Sequence, residues 1–102
     1  MKVEELQDIV RNQDKIIWTA HGLRQMIKRE ISEKDVMKCI AVGEIIEEYP
    51  TDFPYPSCLI FGQLDKENSI HVVVATDGDF VWVITAYRPD NYKFLDDLKT
   101  RR

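Results

Sequence analysis

The chain has 102 residues, of which 44% are hydrophobic and 31% are charged, and its formal net charge is −4. This composition is that of an ordinary globular protein, so it excludes a disordered chain and a disulfide scaffold, and the length leaves room for one domain spanning residues 1–102. The negative charge argues against non-specific nucleic-acid binding, which depends on Lys and Arg, but does not exclude a local basic site.

The location of the protein is predicted from its apolar runs and its first residues. The longest apolar runs, such as Phe80 to Ala86, are far shorter than the roughly 20 residues that a membrane-spanning helix needs. Acidic residues follow Met1 where a secretory signal would be apolar, so we expect a cytoplasmic protein without a membrane anchor. Cys39 and Cys58 are then expected to be reduced, buried and inert, since they show no CxxC spacing and no nearby His at metal-ligand spacing.

The first half of the chain is predicted to be mainly helical. Apolar residues at helical spacing predict a short helix from Val3 to Val10, an amphipathic helix from Ala20 to Glu30 and a third helix from Glu33 to Val42, with a brief extended piece from Lys15 to Thr19 before the second. The third helix should begin at a capping box made by Ser32 and Asp35 and end at Gly43 in the left-handed conformation.

The second half is predicted to form four strands: Glu44 to Tyr49, Cys58 to Leu64, Ile70 to Thr76 and Phe80 to Tyr87. Short loops between the last three favour antiparallel pairing, and Asp77-Gly78 is typical of a hairpin. A short C-terminal helix is expected around Phe94, Leu95 and Leu98. The predicted fold is α+β, with the helices packed on one face of a twisted, four-stranded, mainly antiparallel sheet. Its buried residues should include Leu23, Met26, Val36, Ile40, Leu59, Val72, Val74, Trp82 and Ile84.

The second helix carries the first candidate site. His21, Arg24 and Lys28 share its polar face, and a helix N-terminus favours anions, so this face could bind phosphate. The alternative is an ordinary solvated face.

The strands carry the other candidates. His71 lies in an apolar strand, where a polar ring needs a hydrogen-bond partner, and a lone histidine in such a position is more often structural than functional. With a two-residue hairpin loop it would lie opposite Ile84; with three residues it would lie opposite Thr85, on the face of Tyr87. Tyr87 and Arg88 end the last strand, where sheets often present polar groups to a ligand. The equal alternative is that Tyr87 only caps the core and Arg88 lies in solvent. The sequence shows no Ser-His-Asp signature, Gly-rich phosphate loop or metal-binding cluster, so no metal site and no cofactor are predicted.

Separated blocks of the chain, taken together, resemble a family of small bacterial and archaeal proteins catalogued as a domain of unknown function. These blocks run from about Trp18 to Asp90: His21-x-x-Arg24-x-Met26-x-x-Arg29-x-Ile31-Ser32, then Val36, Gly43, Glu47-x-Tyr49, Leu59-Ile60-x-Gly62, His71-Val72-Val73-Val74-Ala75 and Ile84-Thr85-Ala86-Tyr87-x-Pro89-Asp90. The family is similar to the RelE, BrnT and MqsR toxins, and its genes often neighbour a YgiT-type zinc-finger antitoxin.

The resemblance implies a RelE-like fold and a metal-independent ribonuclease that cleaves RNA by attack of the ribose 2′-hydroxyl on the adjacent phosphate. It implies proton transfer by His21 and His71, positioning or acid catalysis by Tyr87, and phosphate contacts from Arg24 and Arg29, to which Lys28 and Arg88 are added as neighbouring cations. The expected partners are RNA and a cognate zinc-finger or helix-turn-helix antitoxin. Two alternatives stay open: a non-catalytic module of the same fold that binds a partner protein, and a metal-dependent hydrolase.

Overall fold

Three helices occupy the first part of the computed structural model, which describes residues 1–102: α1 (Val3–Val10), α2 (Ala20–Lys28) and α3 (Glu33–Val42). The predicted capping box of α3 is confirmed, since the Ser32 hydroxyl accepts from the Asp35 N–H and the Asp35 carboxylate accepts from the Ser32 N–H, both at 3.0 Å. The prediction for Gly43 is wrong, because its φ of −86° is not left-handed. Glycine is needed there for space, as a Cβ would lie 2.3 Å from the Cys39 carbonyl oxygen.

The predicted second helix ends two residues early, at Lys28, in a left-handed turn. Glu30 has a φ of 56°, and the N–H of Ile31 bonds to the Met26 carbonyl at 2.9 Å while the N–H of Glu30 bonds to the Ile27 carbonyl at 3.2 Å. This pair of bonds is a Schellman motif, in which Gly is the usual residue at the position of Glu30.

The sheet has five strands and is mixed, which corrects the predicted four. The strands are β1 (Ile16–Trp18), β2 (Glu44–Tyr49), β3 (Ser57–Asp65), β4 (Asn68–Thr76) and β5 (Val81–Tyr87), in the order β1-β5-β4-β3-β2. Neighbours pair antiparallel except β1, which lies parallel to β5. The extra strand is the predicted extended piece. Its three residues become a strand only through pairing with β5, far away in sequence.

A bulge in β5 decides which residue faces His71. The hairpin loop has four residues, since Thr76 pairs with Val81, and Ile84 is an extra residue between the pairs formed by Val83 and Thr85. His71 therefore lies opposite Tyr87 and not opposite Ile84 or Thr85, the two partners predicted from shorter loops. Because directly paired residues point to the same face, the side chains of His71 and Tyr87 are neighbours.

The two faces of the sheet have different coverings. Val72, Val74, Val83 and Ala86 point towards the helices and join one apolar core with Met26, Val36 and Ile40. Leu59, Phe61, His71 and Tyr87 alternate with the core residues and so point to the opposite face. Among the predicted core residues, Met26, Val36, Ile40, Leu59, Val72 and Val74 are buried, whereas Leu23, Trp82 and Ile84 are half-buried.

The opposite face is partly covered by residues 89–102, which we call the C-terminal strap. The predicted C-terminal helix is wrong, since the strap forms turns and a single bridge between Phe94 and Arg101. Asp90 and Asp97 cause these turns, because each carboxylate accepts hydrogen bonds from backbone N–H groups two and three residues later. None of the three helices has the length and apolar character needed to cross a membrane.

Candidate functional site

A cleft of about 490 Å³ opens where β5 ends, between the C-terminus of α2 and the strap. Its walls carry four cationic side chains and one acidic one, and the lining residues are Arg29, Thr85, Tyr87, Arg88, Pro89, Asp90, Lys93, Phe94 and Arg101. A larger cavity of about 570 Å³ has Glu5, Glu48 and Asp77 in its walls, no Lys or Arg, and none of the predicted site residues. The smaller cleft is therefore the candidate site.

Arg29 and Arg88 connect α2 to the open edge of β5. Because β1 covers β5 only as far as Val83, the carbonyl of Ala86 has no strand partner on that side, and the Arg29 guanidinium donates to it at 2.9 Å. Arg29 also donates to the Thr85 hydroxyl at 3.3 Å. Arg88 donates to the carbonyls of Arg29 at 2.5 Å and Glu30 at 3.2 Å, so it caps the end of α2. All the acceptors are neutral, and neither guanidinium group forms an ion pair with a carboxylate of the protein.

Tyr87 forms a hydrogen-bonded pair with His71, which lies behind it. The Nδ1 atom of His71 is 3.2 Å from the Tyr87 hydroxyl oxygen, and its Nε2 atom is 2.6 Å from the carbonyl oxygen of Leu98. A carbonyl can only accept, so Nε2 carries the proton of the neutral ring, and Nδ1 is left to accept the Tyr87 hydroxyl proton. The pair is thus directional, because Tyr87, which lines the cleft, turns its hydroxyl proton to His71.

The surroundings of His71 favour its neutral form. The ring is 0% exposed and is enclosed by Phe61 and Phe94 at centroid distances of 5.9 and 4.6 Å. This burial lowers the pKa of His71 from its ordinary value, against smaller raising effects of the Leu98 carbonyl and the Glu47 carboxylate. Burial likewise raises the pKa of Tyr87. Both groups therefore stay uncharged near neutral pH.

Two cationic residues of the cleft, Lys93 and Arg101, were not predicted, because both lie on the strap. The Arg101 guanidinium donates to both carboxylate oxygens of Glu47 at 3.0 Å, and this hydrogen bond holds the pKa of Glu47 below its usual value. The Lys93 ammonium has no hydrogen-bond or ion-pair partner in the protein. The turn at Asp90 brings Lys93 to the cleft. The Asp90 carboxylate is the only acidic group among the lining residues.

The residues predicted on α2 lie elsewhere. His21, Arg24 and Lys28 are exposed, and none of them lines the cleft. The buried side of α2 packs against β5 on the helix side of the sheet, whereas His71 points to the other side. The structure therefore brings together Arg29, His71, Tyr87 and Arg88, and it does not form one site from both histidines.

No group of three or more His, Cys, Asp or Glu side chains is arranged to hold a metal ion. Cys39 and Cys58 are buried free thiols, as predicted, and burial raises the pKa of each to about 12. Neither thiol is therefore a nucleophile near neutral pH.

Comparison with known proteins gives one family. No curated protein and no solved structure matches the chain significantly. The model of a domain of unknown function, DUF4258, matches residues 18–88, which contain α2, α3 and all five strands except the first two residues of β1. The matched segment ends at Arg88, so the strap lies outside it. The chain belongs to the DUF4258 family of domains of unknown function.

Proposed function

We propose that this protein is a metal-independent endoribonuclease of the toxin type, which binds the RNA backbone in the cleft over Tyr87. The observation that carries the proposal is the Tyr87–His71 pair, in which a phenol donates to a buried neutral imidazole at a cleft with four cationic side chains. His71 keeps the proton-transfer role that the family resemblance implied for it, whereas Tyr87, for which the resemblance implied positioning or acid catalysis, here relays a proton from the 2′-hydroxyl to His71. His21 has no part in this mechanism.

The charge at the cleft supports binding of a phosphate backbone. Arg29 and Arg88 use neutral carbonyls as acceptors, and Lys93 has no protein partner, so their charges are available to phosphate oxygens. The ion pair with Glu47 offsets part of the positive charge of Arg101. The Asp90 carboxylate contributes one negative charge to the walls of the cleft. The cleft is thus locally positive although the whole chain carries −4, and such a site binds through a few placed contacts.

The proposed reaction is attack of a ribose 2′-hydroxyl on the adjacent phosphorus. The 2′-oxygen gives its proton to the Tyr87 oxygen as Tyr87 passes its own proton to Nδ1 of His71. The bond from the 2′-oxygen to phosphorus forms, the bond from phosphorus to the 5′-oxygen breaks, and the 5′-oxygen takes a proton from water. The hydroxide left by that water recovers, through Tyr87, the proton that His71 took, which returns both side chains to their starting state. Arg29, Arg88 and Lys93 stabilise the negative charge that develops on the phosphate oxygens. The products are a 2′,3′-cyclic phosphate and a free 5′-hydroxyl.

The test is cleavage of a single-stranded RNA oligonucleotide in EDTA by purified protein. Tyr87→Phe removes the proton carrier and should lower kcat by at least about 100-fold, the low end for general acid–base catalysis. Tyr92→Phe is the matched control, because it removes a hydroxyl from a ring that is 92% exposed. Full activity in Tyr87→Phe, or loss of activity in EDTA, would contradict the proposal.

The phosphate contact is tested separately with Lys93→Gln, against Lys66→Gln in the exposed turn between β3 and β4 as the control. Lys93→Gln should raise KM and reduce the salt dependence of RNA binding by about one charge, and Lys66→Gln should change neither. Equal effects of the two variants would show that RNA does not bind in the cleft.

A second candidate function is a non-catalytic module that binds a partner protein, such as a cognate zinc-finger or helix-turn-helix antitoxin. The open outer edge of β2 supports it, because an unpaired edge strand can accept an added strand. In that case no RNA is cleaved, and a proline at Ile46 in the middle of β2 abolishes partner binding while substitutions in the cleft have no effect.

A further inference from the structure

The C-terminal strap crosses the sheet from β5 to β2 and covers His71 on the way. Phe94 is 1% exposed and packs edge-on against the His71 ring. Further along, Lys99 forms an ion pair with Glu44 at 2.6 Å, and Arg101 forms the two-pronged pair with Glu47. Both carboxylates belong to β2, the strand farthest from β5 on this side of the sheet. The strap is thus held at both ends, at the cleft and at β2.

The residue between these attachments, Leu98, has a strained backbone. Its φ of 59° is left-handed, which costs a residue with a Cβ roughly 1–2 kcal/mol. Such a conformation persists only where the surroundings hold it in place. Its carbonyl oxygen is the one that accepts from Nε2 of His71. The ion pairs that follow Leu98 along the chain are therefore candidates for what holds this carbonyl against the ring.

We propose that Glu47 is a positioning residue for the reaction: by binding Arg101 it holds the Leu98 carbonyl on His71, and so keeps the ring proton on Nε2. The claim about the ring proton concerns the fold alone, whereas its consequence for cleavage rests on the proposed function. If the strap loosens, water can replace the Leu98 carbonyl as the hydrogen-bond partner of Nε2. Because water can also donate a hydrogen bond to Nε2, the ring proton can then move to Nδ1. Nδ1 then donates to the Tyr87 oxygen, and His71 can no longer take the Tyr87 proton.

The two-pronged geometry makes Glu47 the attachment that matters most. Its side chain is 21% exposed, against 54% for Glu44, the other carboxylate that binds the strap, so water screens the pair with Glu47 less. The Arg101 guanidinium also lies 4.8 Å from the centroid of the Phe94 ring, which packs on His71. One side chain of β2 thus restrains both parts of the strap that contact the imidazole.

The experiment reads the ring proton directly. In a His21→Ala background His71 is the only histidine, and its ring ¹⁵N chemical shifts report which nitrogen carries the proton. We expect the Nε2–H form alone in this background and in Glu48→Gln, the matched control on the next residue of β2. Glu47→Gln and Arg101→Gln should each show a mixture of both forms. The charge exchange Glu47→Arg with Arg101→Glu should restore the Nε2–H form.

Cleavage of RNA by the same variants tests the consequence. Glu47→Gln should lower kcat about fivefold, which corresponds to about 1 kcal/mol, without raising KM, because the released Arg101 adds positive charge to the cleft. A pure Nε2–H form in Glu47→Gln and in Arg101→Gln would overturn the inference, and so would a mixture with full kcat. If none of the proteins cleaves RNA, the proposed function fails, but the ¹⁵N shifts still decide whether Glu47 controls the ring proton.

Discussion

Lowering the pH should destabilise the fold through His71. Its pKa in the folded protein is lowered from 6.5, so the unfolded chain binds a proton at a pH where the folded chain does not. By linkage, the contribution of His71 to stability is intact above about pH 6.5 and is lost as the pH falls towards the lowered pKa. The titratable groups that act on the ring are Tyr87 on β5, its hydrogen-bond partner, and the charges of Glu47 on β2 and Arg101 on the strap. Burial outweighs the raising effect of Glu47, so the pKa of His71 is lowered.

The size of this pH effect on the free energy of unfolding is set by the single proton that His71 binds in the unfolded chain. The free energy of unfolding should fall by up to about 1.4 kcal/mol for each pH unit below the unfolded pKa, because one extra proton binds to the unfolded chain. The assay is urea unfolding between about pH 7.5 and 5.5 for the His21→Ala protein, compared with the same protein carrying His71→Gln, which does not titrate. The difference between the two slopes isolates His71. Equal slopes, or a steeper one in the glutamine variant, would refute the reasoning that His71 is buried in its neutral form.

Three further predictions concern the fold. Glu30→Gly should stabilise the protein by about 1 kcal/mol in urea unfolding, because Glu30 sits at a left-handed position; a loss of stability would contradict this. Gly62→Ala should destabilise it, since the new Cβ would lie 2.6 Å from the Cys39 sulfur and 2.7 Å from its Cα; an unchanged urea midpoint would show that α3 can shift away. Ile40→Ala should lower the free energy of unfolding by roughly 2–5 kcal/mol, because the Ile40 side chain is 0% exposed in the core. An unchanged free energy of unfolding would show that Ile40 is not part of the core.

The sequence predicts the elements that are specified locally. The capping box of α3 needs only Ser32 and Asp35, three residues apart, and it forms as expected. The polar end of β5 is likewise predicted from the sequence, since Tyr87 and Arg88 come at the end of an apolar strand, and both line the cleft. These features depend on neighbours in the chain, so a single sequence contains their cause.

The features that were missed depend on residues distant in sequence. The bulge at Ile84, which puts Tyr87 opposite His71, follows from packing across the sheet and leaves no mark in the alternation of β5. Three apolar residues, Phe94, Leu95 and Leu98, predict a short helix within the strap, but the side chains of Asp90 and Asp97 bond to nearby N–H groups and favour turns. With the strap misassigned, Lys93 could not be placed at the cleft.

The proposed attack by the 2′-hydroxyl is tested most directly by measuring cleavage at one defined phosphodiester bond. An RNA oligonucleotide that is cleaved by the protein in EDTA is resynthesised with a single 2′-deoxyribose on the 5′ side of the cleaved bond. We expect cleavage at that bond to disappear, and the unmodified RNA to yield a 2′,3′-cyclic phosphate that Tyr87→Phe no longer produces. Cleavage of the deoxy-substituted bond, or cyclic phosphate formed at an unchanged rate by Tyr87→Phe, would contradict the central claim that Tyr87 and His71 take the proton of the 2′-hydroxyl.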